Sequence, residues 1–182
     1  MIYLNSILRK LRILRSIDNT NISALRKRGI KIGENVDIIN FIIDGTHGPL
    51  VSIGNNVTIT GVRILSHDAS IKKFLGYSKV GLVEIGNNVF VGQGSIILPN
   101  TKIGNNVIVG AGTIVAKDVP DNVVIVGNPW RILCTFEEYI ERNRVAMQKK
   151  PVFNKIFSEK ATDEWELMVK ILKENGGSGY DL

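Results

Sequence analysis

The sequence predicts a mainly β fold in which short parallel strands wind into a stack of triangular coils. An IGENV or IGNNV motif begins at Ile32, Ile53, Ile85 and Ile103. An aliphatic residue recurs every six positions between 85 and 115, and the same spacing is expected to place Ile53, Ile59 and Leu65 on this grid. Neither a helical period of about 3.6 nor a strand alternation of 2 produces this repeat. Aromatic residues make up only 7% of the chain, so the core is expected to consist of regular layers of Ile and Val.

Each coil is expected to have three sides, because the motifs at Ile85 and Ile103 are 18 residues apart and each side takes six. One coil cannot bury its apolar side chains alone, so successive coils stack and pair their backbones. Glycines that follow the aliphatic residues, and the Asn-Asn pairs, are expected at corners that need left-handed backbone angles. Longer spacings between the earlier motifs predict a small loop near 45–50 and an insertion at about 71–84.

The segments outside the repeat are predicted to be helical. This divides the chain into an N-terminal segment (1–30), a β-helix domain (31–134) and a C-terminal extension (135–182). The extension is expected to hold helices over 136–148 and 163–175. In the N-terminal segment an apolar stripe recurs at helical spacing, with basic residues off that face: Leu4, Ile7, Leu8, Leu11 and Leu14. Such a helix either covers the open end of the coils or lies on a membrane surface.

Charge and composition exclude several classes of protein. The first 31 residues hold eight basic side chains and one acidic one, whereas the other 151 hold 15 and 16, so the net charge of +6 belongs to the N-terminal segment. One cysteine, Cys134, excludes an internal disulfide and favours the cytoplasm. That there are only two histidines argues against a histidine-rich metal centre. The sequence also has no run of 18 apolar residues that would predict a membrane span.

Two stretches carry a family resemblance: ILSHDAS at 64–70, and the run at 83–132 that closes with GAGTIVAKDVP and GNPWRI. Over about 30–134 the chain resembles the hexapeptide-repeat acyltransferases, and among them bacterial sugar O-acetyltransferases of the maltose and galactoside type. The resemblance implies a left-handed parallel β-helix and a homotrimer with active sites in the clefts between subunits. It also implies acetyl-CoA as the acyl donor, no metal, and a sugar acceptor such as a surface polysaccharide or its precursor.

His67 is the expected catalytic residue, because the family's catalytic histidine occupies this place. Acyl transfer from a thioester to a hydroxyl needs a base for the hydroxyl proton, and an imidazole that titrates near neutrality suits that role. Asp68 is expected either to orient the imidazole or to cap the loop.

Acceptor-binding residues are expected near His67. Asp44 takes a position of the repeat that is normally aliphatic, where a carboxylate is costly unless it is paired or solvated. His47 lies in the small loop, and it either faces His67 from the preceding coil, within one subunit or across two, or is an ordinary turn residue. Phe90 stands where some sugar acetyltransferases have tryptophan, so it could shape a pocket or simply pack.

Donor-binding residues are implied by matching motif positions. In the relatives, coenzyme A lies in a groove along adjacent coils, and basic groups suit its phosphates. The residues implied on this basis are Gly92, Gln93, Ala111, Ala116, Lys117 and Arg131. Trp130 departs from the small residue that commonly follows this proline, and it could line the acceptor or adenine pocket or only pack.

Three alternatives to a sugar O-acetyltransferase stay open at the level of sequence. An N-acetyltransferase acting on an amino sugar would share the histidine and the groove. A metal-dependent hydratase of the gamma carbonic anhydrase type would need three converging histidines, against two in this chain. A non-enzymatic scaffold could use the basic N-terminal arm to bind nucleic acid or acidic lipid, although no nucleic-acid motif accompanies those charges.

Overall fold

The computed structural model describes residues 22–43 and 47–182. The chain divides into two compact units, the first ending at Phe136 and the second spanning 137–182. The Leu4–Leu14 stripe lies outside the described residues, as does Asp44. Within the described residues no helix is both long and apolar enough to span a membrane.

The first unit is a triangular prism whose three sides are parallel sheets. Sheet A has the strand order β1-β4-β9-β12, sheet B has β2-β5-β10-β13-β15-β16, and sheet C has β3-β6-β11-β14. These strands are β1 (Lys31–Ile32), β2 (Val36–Ile39), β3 (Ile42–Ile43), β4 (Val51–Ile53), β5 (Val57–Thr60), β6 (Arg63–Ile64), β9 (Val83–Ile85), β10 (Val89–Val91), β11 (Ile96–Ile97), β12 (Thr101–Ile103), β13 (Val107–Val109), β14 (Ile114–Val115), β15 (Val123–Gly127) and β16 (Trp130–Thr135). Among the described strands of these three sheets, β16 alone runs antiparallel, and it pairs with β15.

The core of the prism is almost entirely Ile and Val, as the repeat predicts. The inward side chains of each side stack on their counterparts in the next coil, and those on the six-residue grid are at most 3% exposed along 85–115. They are Ile85, Val91, Ile97, Ile103, Val109 and Val115. Uniform layers of β-branched side chains fill this narrow interior without large aromatic rings, which explains the low aromatic content.

The repeat slips by one residue in the earlier coils. Ile64, which pairs with Ile97, is fully buried, whereas Leu65 is only half-buried. The side from Ile59 to Ile64 is therefore five residues long, and the placement of Leu65 on the six-residue grid is wrong. In the following coil the side from Val91 to Ile97 is six residues long, and Gln93 is exposed at the corner between sheets B and C.

Glycines after the aliphatic residues have a different role from the predicted one. Gly86 and Gly104 do not adopt positive φ; instead a Cβ on Gly86 would lie 2.6 Å from the carbonyl oxygen of Gly104 on the next coil. The left-handed angles fall on the second asparagine of each pair, such as Asn88 at φ 54° and Asn106 at φ 52°. Glycine permits the close approach of stacked backbones, and asparagine makes the turn.

Asparagine side chains connect the coils along one corner. The amide of Asn56 donates to Asn88 at 3.0 Å, and that of Asn88 donates to Asn106 at 2.9 Å. The ladder begins at Asn35 and ends at Asn122. Each amide both donates and accepts, so the side chains that turn the corner also hold neighbouring coils in register.

The first coil is covered by a short helix, α1 (Ile22–Lys27). Leu25 and Ile30 are buried in the core of the prism, and Arg26 donates to the backbone carbonyls of Ile32 and Gly33. The end of the prism is therefore covered by residues that directly precede the first strand.

The second unit is described by itself. It contains all but the first residue of α3 (Phe136–Met147), together with β17 (Val152–Phe153), α4 (Thr162–Glu174) and β18 (Tyr180–Asp181), and the two strands pair in parallel. The two predicted C-terminal helices are confirmed to within one residue at each end. The domain boundaries at 30/31 and 134/135 stay predictions.

Candidate active site

A projecting hairpin follows the second coil and carries His67. Strand β7 (His67–Asp68) pairs antiparallel with β8 (Lys79–Val80), and helix α2 (Lys72–Leu75) lies at the tip between them. The chain leaves the prism directly after the buried Ser66, so His67 stands where the scaffold ends and the insertion begins. The sequence places the insertion at about 71–84, and the hairpin starts four residues earlier.

His47 approaches His67 from the preceding coil. His47 directly precedes a single 3-10 turn, Gly48–Leu50, within the predicted small loop. The two imidazole ring centroids are 4.9 Å apart with planes inclined by 33°, and both side chains are half-buried. His47 and His67 therefore face each other within one chain.

Asp68 binds the base of the insertion hairpin. Its Oδ1 accepts the backbone N–H of Ser70 at 2.8 Å, and its Oδ2 accepts the ammonium of Lys79 at 3.3 Å. The Ser70 hydrogen bonds, and then Lys79, hold the pKa of the Asp68 carboxyl below its ordinary value. Of the two predicted roles, these contacts favour the loop-capping one.

Asp68→Ala is expected to loosen the hairpin, whereas Asp68→Asn keeps an acceptor for Ser70 and loosens it less. Because the pKa of the Asp68 carboxyl is lowered in the folded state, the stabilisation that this carboxylate gives the hairpin is present above its unfolded-state pKa. It is lost as the pH falls through the folded-state pKa. Amide hydrogen exchange over 67–80 measures how often the hairpin opens in each variant. At neutral pH we expect several-fold faster exchange in the alanine variant than in the native protein. Equal exchange in all three proteins would show that Asp68 does not hold the hairpin.

Gln93 and Ala111 lie on the other corner of sheet C. Both residues are exposed at equivalent corners of successive coils, and the Gly112 N–H donates to the carbonyl of Gln93 at 2.9 Å. Gly92 is buried below them, and a Cβ there would lie 2.7 Å from the nitrogen of Ala111. Sheet C therefore separates this corner from His67 in a single chain.

Ala116 and Lys117 follow strand β14, on the same corner of the prism as His67. Both are exposed, and the Lys117 Nζ lies 4.8 Å from the centroid of the Trp130 ring. Arg131 is exposed and directly follows Trp130 in strand β16, so strand alternation directs it to the opposite face. Lys117 and Arg131, the two cations expected to bind phosphates, therefore do not lie on the same face of β16.

Phe90 is exposed on the outer face of sheet B, between Thr58 and Ile108 of the neighbouring strands. This placement does not bring it to His67 within one chain. Among the described residues, no group of three His, Cys, Asp or Glu side chains could hold a metal ion.

Comparison with known proteins supplies the family. A model described as bacterial transferase hexapeptide (six repeats) matches residues 83–117. Protein CapG of Staphylococcus aureus is 47% identical over 131 residues, which span 66% of this chain and 74% of that protein. The chain belongs to the hexapeptide-repeat acyltransferase family. The predicted left-handed parallel β-helix and the acyltransferase class are thereby confirmed.

Two further relatives match over the repeat. Galactoside O-acetyltransferase of Lactococcus lactis is 44% identical over 89 residues, covering 48% of this chain and 40% of that protein. The crystal structure of a hexapeptide-repeat acetyltransferase of Vibrio cholerae, complexed with acetyl coenzyme A, aligns with a TM-score of 0.52 and 25% identity. That alignment covers 59% of this chain and 61% of the Vibrio chain. The matched part is thus less than two thirds of either protein.

Proposed function

We propose that this protein transfers an acetyl group from acetyl-CoA to a hydroxyl of a sugar, such as a surface polysaccharide or its precursor, with His67 as the general base. The observation that carries the proposal is the place of His67, half-buried at the base of the insertion and 4.9 Å from His47 between ring centroids. A similar galactoside O-acetyltransferase supports the sugar hydroxyl as acceptor. The proposal places the reaction in the cytoplasm, where a free thiol such as Cys134 stays reduced.

In the proposed mechanism His67 handles one proton in both directions. The imidazole takes the proton of the acceptor hydroxyl while the hydroxyl oxygen forms a bond with the thioester carbonyl carbon. The imidazolium then returns that proton to the sulfur as the carbon–sulfur bond of the tetrahedral intermediate breaks. The products are an acetyl ester and a free thiol, and no acyl-enzyme forms.

The neighbouring residues would share the remaining tasks. His47 is proposed to hold the acceptor because its ring faces that of His67, and so is Asp44, which precedes His47 by three positions in the sequence. Asp68 is proposed to act on His67 indirectly, by holding the hairpin that carries it. Gly92, Gln93, Ala111, Ala116, Lys117 and Arg131 are proposed to bind the donor.

A homotrimer with sites between subunits would bring the two corners together. The outer row of sheet C is mostly apolar, with Ile42, Ile96 and Ile114 interrupted by one basic residue, Arg63, whereas that of sheet A carries Ser52, Glu84 and Lys102. A mostly apolar row on the outer face of a rigid sheet is typical of an interface. The donor corner of one subunit could then face the His67 corner of the next, and Phe90 would reach a site only in this way.

Calorimetric titration of the purified protein with acetyl-CoA tests the donor. We expect saturable binding of about one donor per chain and comparable binding of coenzyme A, since most contacts would involve the pantetheine and phosphates. Light scattering on the same sample gives the oligomeric state. Absence of binding in folded protein would reject acetyl-CoA as the donor.

Release of free thiol in the presence of a panel of sugars and amino sugars then identifies the acceptor. Hydroxylamine cleaves an ester product readily but leaves an amide intact under the same mild conditions, which separates O-transfer from N-transfer. A hydroxylamine-resistant product would show that the acceptor is an amino group and not a sugar hydroxyl.

A further inference from the structure

The ring of Trp130 and the ammonium of Lys117 form a contact that no expected function explains. Lys117 Nζ lies 4.8 Å from the indole centroid, inside the roughly 6 Å within which a cation is attracted to a ring face. The pair joins residues 13 positions apart, one after strand β14 and one at the start of strand β16.

The indole has a fixed position on the prism. It is half-buried and packs against the hydrophobic core, and Trp130 pairs with Gly127 across the β15–β16 hairpin. The Gly127 N–H in turn donates to the Thr113 hydroxyl at 3.1 Å, which ties this turn to the preceding coil. The ring is therefore a rigid surface beside a flexible lysine.

Held by this ring, Lys117 differs from an ordinary surface lysine. A free lysine loses rotamer entropy when it is fixed on a ligand. A side chain that already rests on an aromatic face loses less, and an ammonium has three donors, so its outward protons stay available to an anion.

We propose that Trp130 is a positioning residue that holds Lys117 ready for a phosphate group of coenzyme A. This inference rests on the proposed function, in which Lys117 binds the donor. Trp130 acts through Lys117 alone, and Arg131, on the opposite face of β16, acts independently of the ring.

A double-mutant cycle on coenzyme A binding tests the proposal by calorimetry. Lys117→Met should weaken binding about tenfold in the native background, as expected for loss of a charge-assisted hydrogen bond, but no more than about threefold beside Trp130→Leu. Trp130→Phe, which keeps a ring face, should restore most of the difference. Arg131→Ala is the matched control, and its effect should be the same with Trp130 or Leu at position 130.

Three further results would decide against the proposal or separate it from the proposed function. An equal loss from Lys117→Met in both backgrounds overturns the positioning role while leaving the donor site intact. No coenzyme A binding by the native protein rejects the donor site and with it this inference. Titration with 3′-dephospho-coenzyme A shows which phosphate Lys117 binds. If it binds the 3′-phosphate, the coupling between Lys117 and Trp130 disappears with that ligand. If it binds the diphosphate, the coupling persists.

Fluorinated tryptophan keeps the test usable if Trp130→Leu does not fold. Fluorination weakens the attraction of the ring face for a cation with little change of shape, and it modifies Trp165 equally in every protein. It should weaken coenzyme A binding in protein with Lys117 but leave Lys117→Met unchanged. An equal effect in both proteins would overturn the proposal.

Discussion

Replacing His67 with alanine is expected to slow acetyl transfer about 100-fold or more, the usual scale for a lost general base. The effect should fall on the transfer step, because His67 lies on the hairpin base and the proposed donor residues lie on other coils. Coenzyme A should therefore bind the variant as tightly as it binds the native protein. Single-turnover measurement of thiol release, with calorimetry on the same variant, separates the two quantities.

His47 provides the matched control, because its ring lies 4.9 Å from that of His67. If His67 is the base and His47 only holds the acceptor, His47→Ala should raise the KM for the acceptor by several-fold and lower kcat much less. A residue that contributes equally to ground-state and transition-state binding has this signature. The reverse pattern, with His47→Ala the slower variant at saturation, would move the general base to His47. Unchanged turnover in His67→Ala would remove both the residue and the mechanism.

The coils were predictable because the residues that specify each side lie close together in the sequence. An inward aliphatic residue, a glycine and an asparagine pair recur within each side, and each satisfies a requirement of the same few residues. Even so, the fixed grid fails at Leu65, because a five-residue side replaces a six-residue one there. Only stacking against Ile97 decides which of Ile64 and Leu65 turns inward.

Functional contacts were less predictable, because they join segments that the repeat does not relate. The small loop and His67 could be expected on successive coils, but their distance depends on the 3-10 turn after His47. The role of Asp68 depends on Lys79, which only the pairing of the hairpin brings near. The contact of Lys117 with Trp130 needs the antiparallel return of β16, which no hexapeptide periodicity encodes.

The glycines of the repeat set the second large expected effect, on stability. Gly86→Ala should destabilise the protein by about 3 kcal/mol, at the upper end of the usual range for overpacking. The new methyl group would lie 2.6 Å from the carbonyl oxygen of Gly104 and 2.8 Å from its carbon. Neither atom can rotate away, because both belong to the backbone of the next coil.

The expected loss spreads beyond one contact because the coils are hydrogen-bonded at this point. The Gly86 N–H donates to the carbonyl of Ile103 at 2.9 Å, and a Cβ on Gly54 would lie 2.6 Å from the carbonyl oxygen of Gly86. Three successive coils therefore share the same close spacing at this corner. A methyl group that separates two of these coils would lengthen the hydrogen bonds between them. The backbone groups involved would have no solvent partner to bond to instead.

Gly112→Ala is the control that separates crowding from backbone strain. Gly112 has φ +70° and a Cβ there would meet nothing within 4 Å, so alanine should cost only about 1–2 kcal/mol for the left-handed conformation. Urea denaturation of both variants, at one protein concentration because an oligomer links stability to concentration, gives the comparison. If Gly86→Ala unfolds no earlier than Gly112→Ala, the coils can move apart at little cost. Close stacking would then not be the reason that glycine follows the aliphatic residue in this repeat.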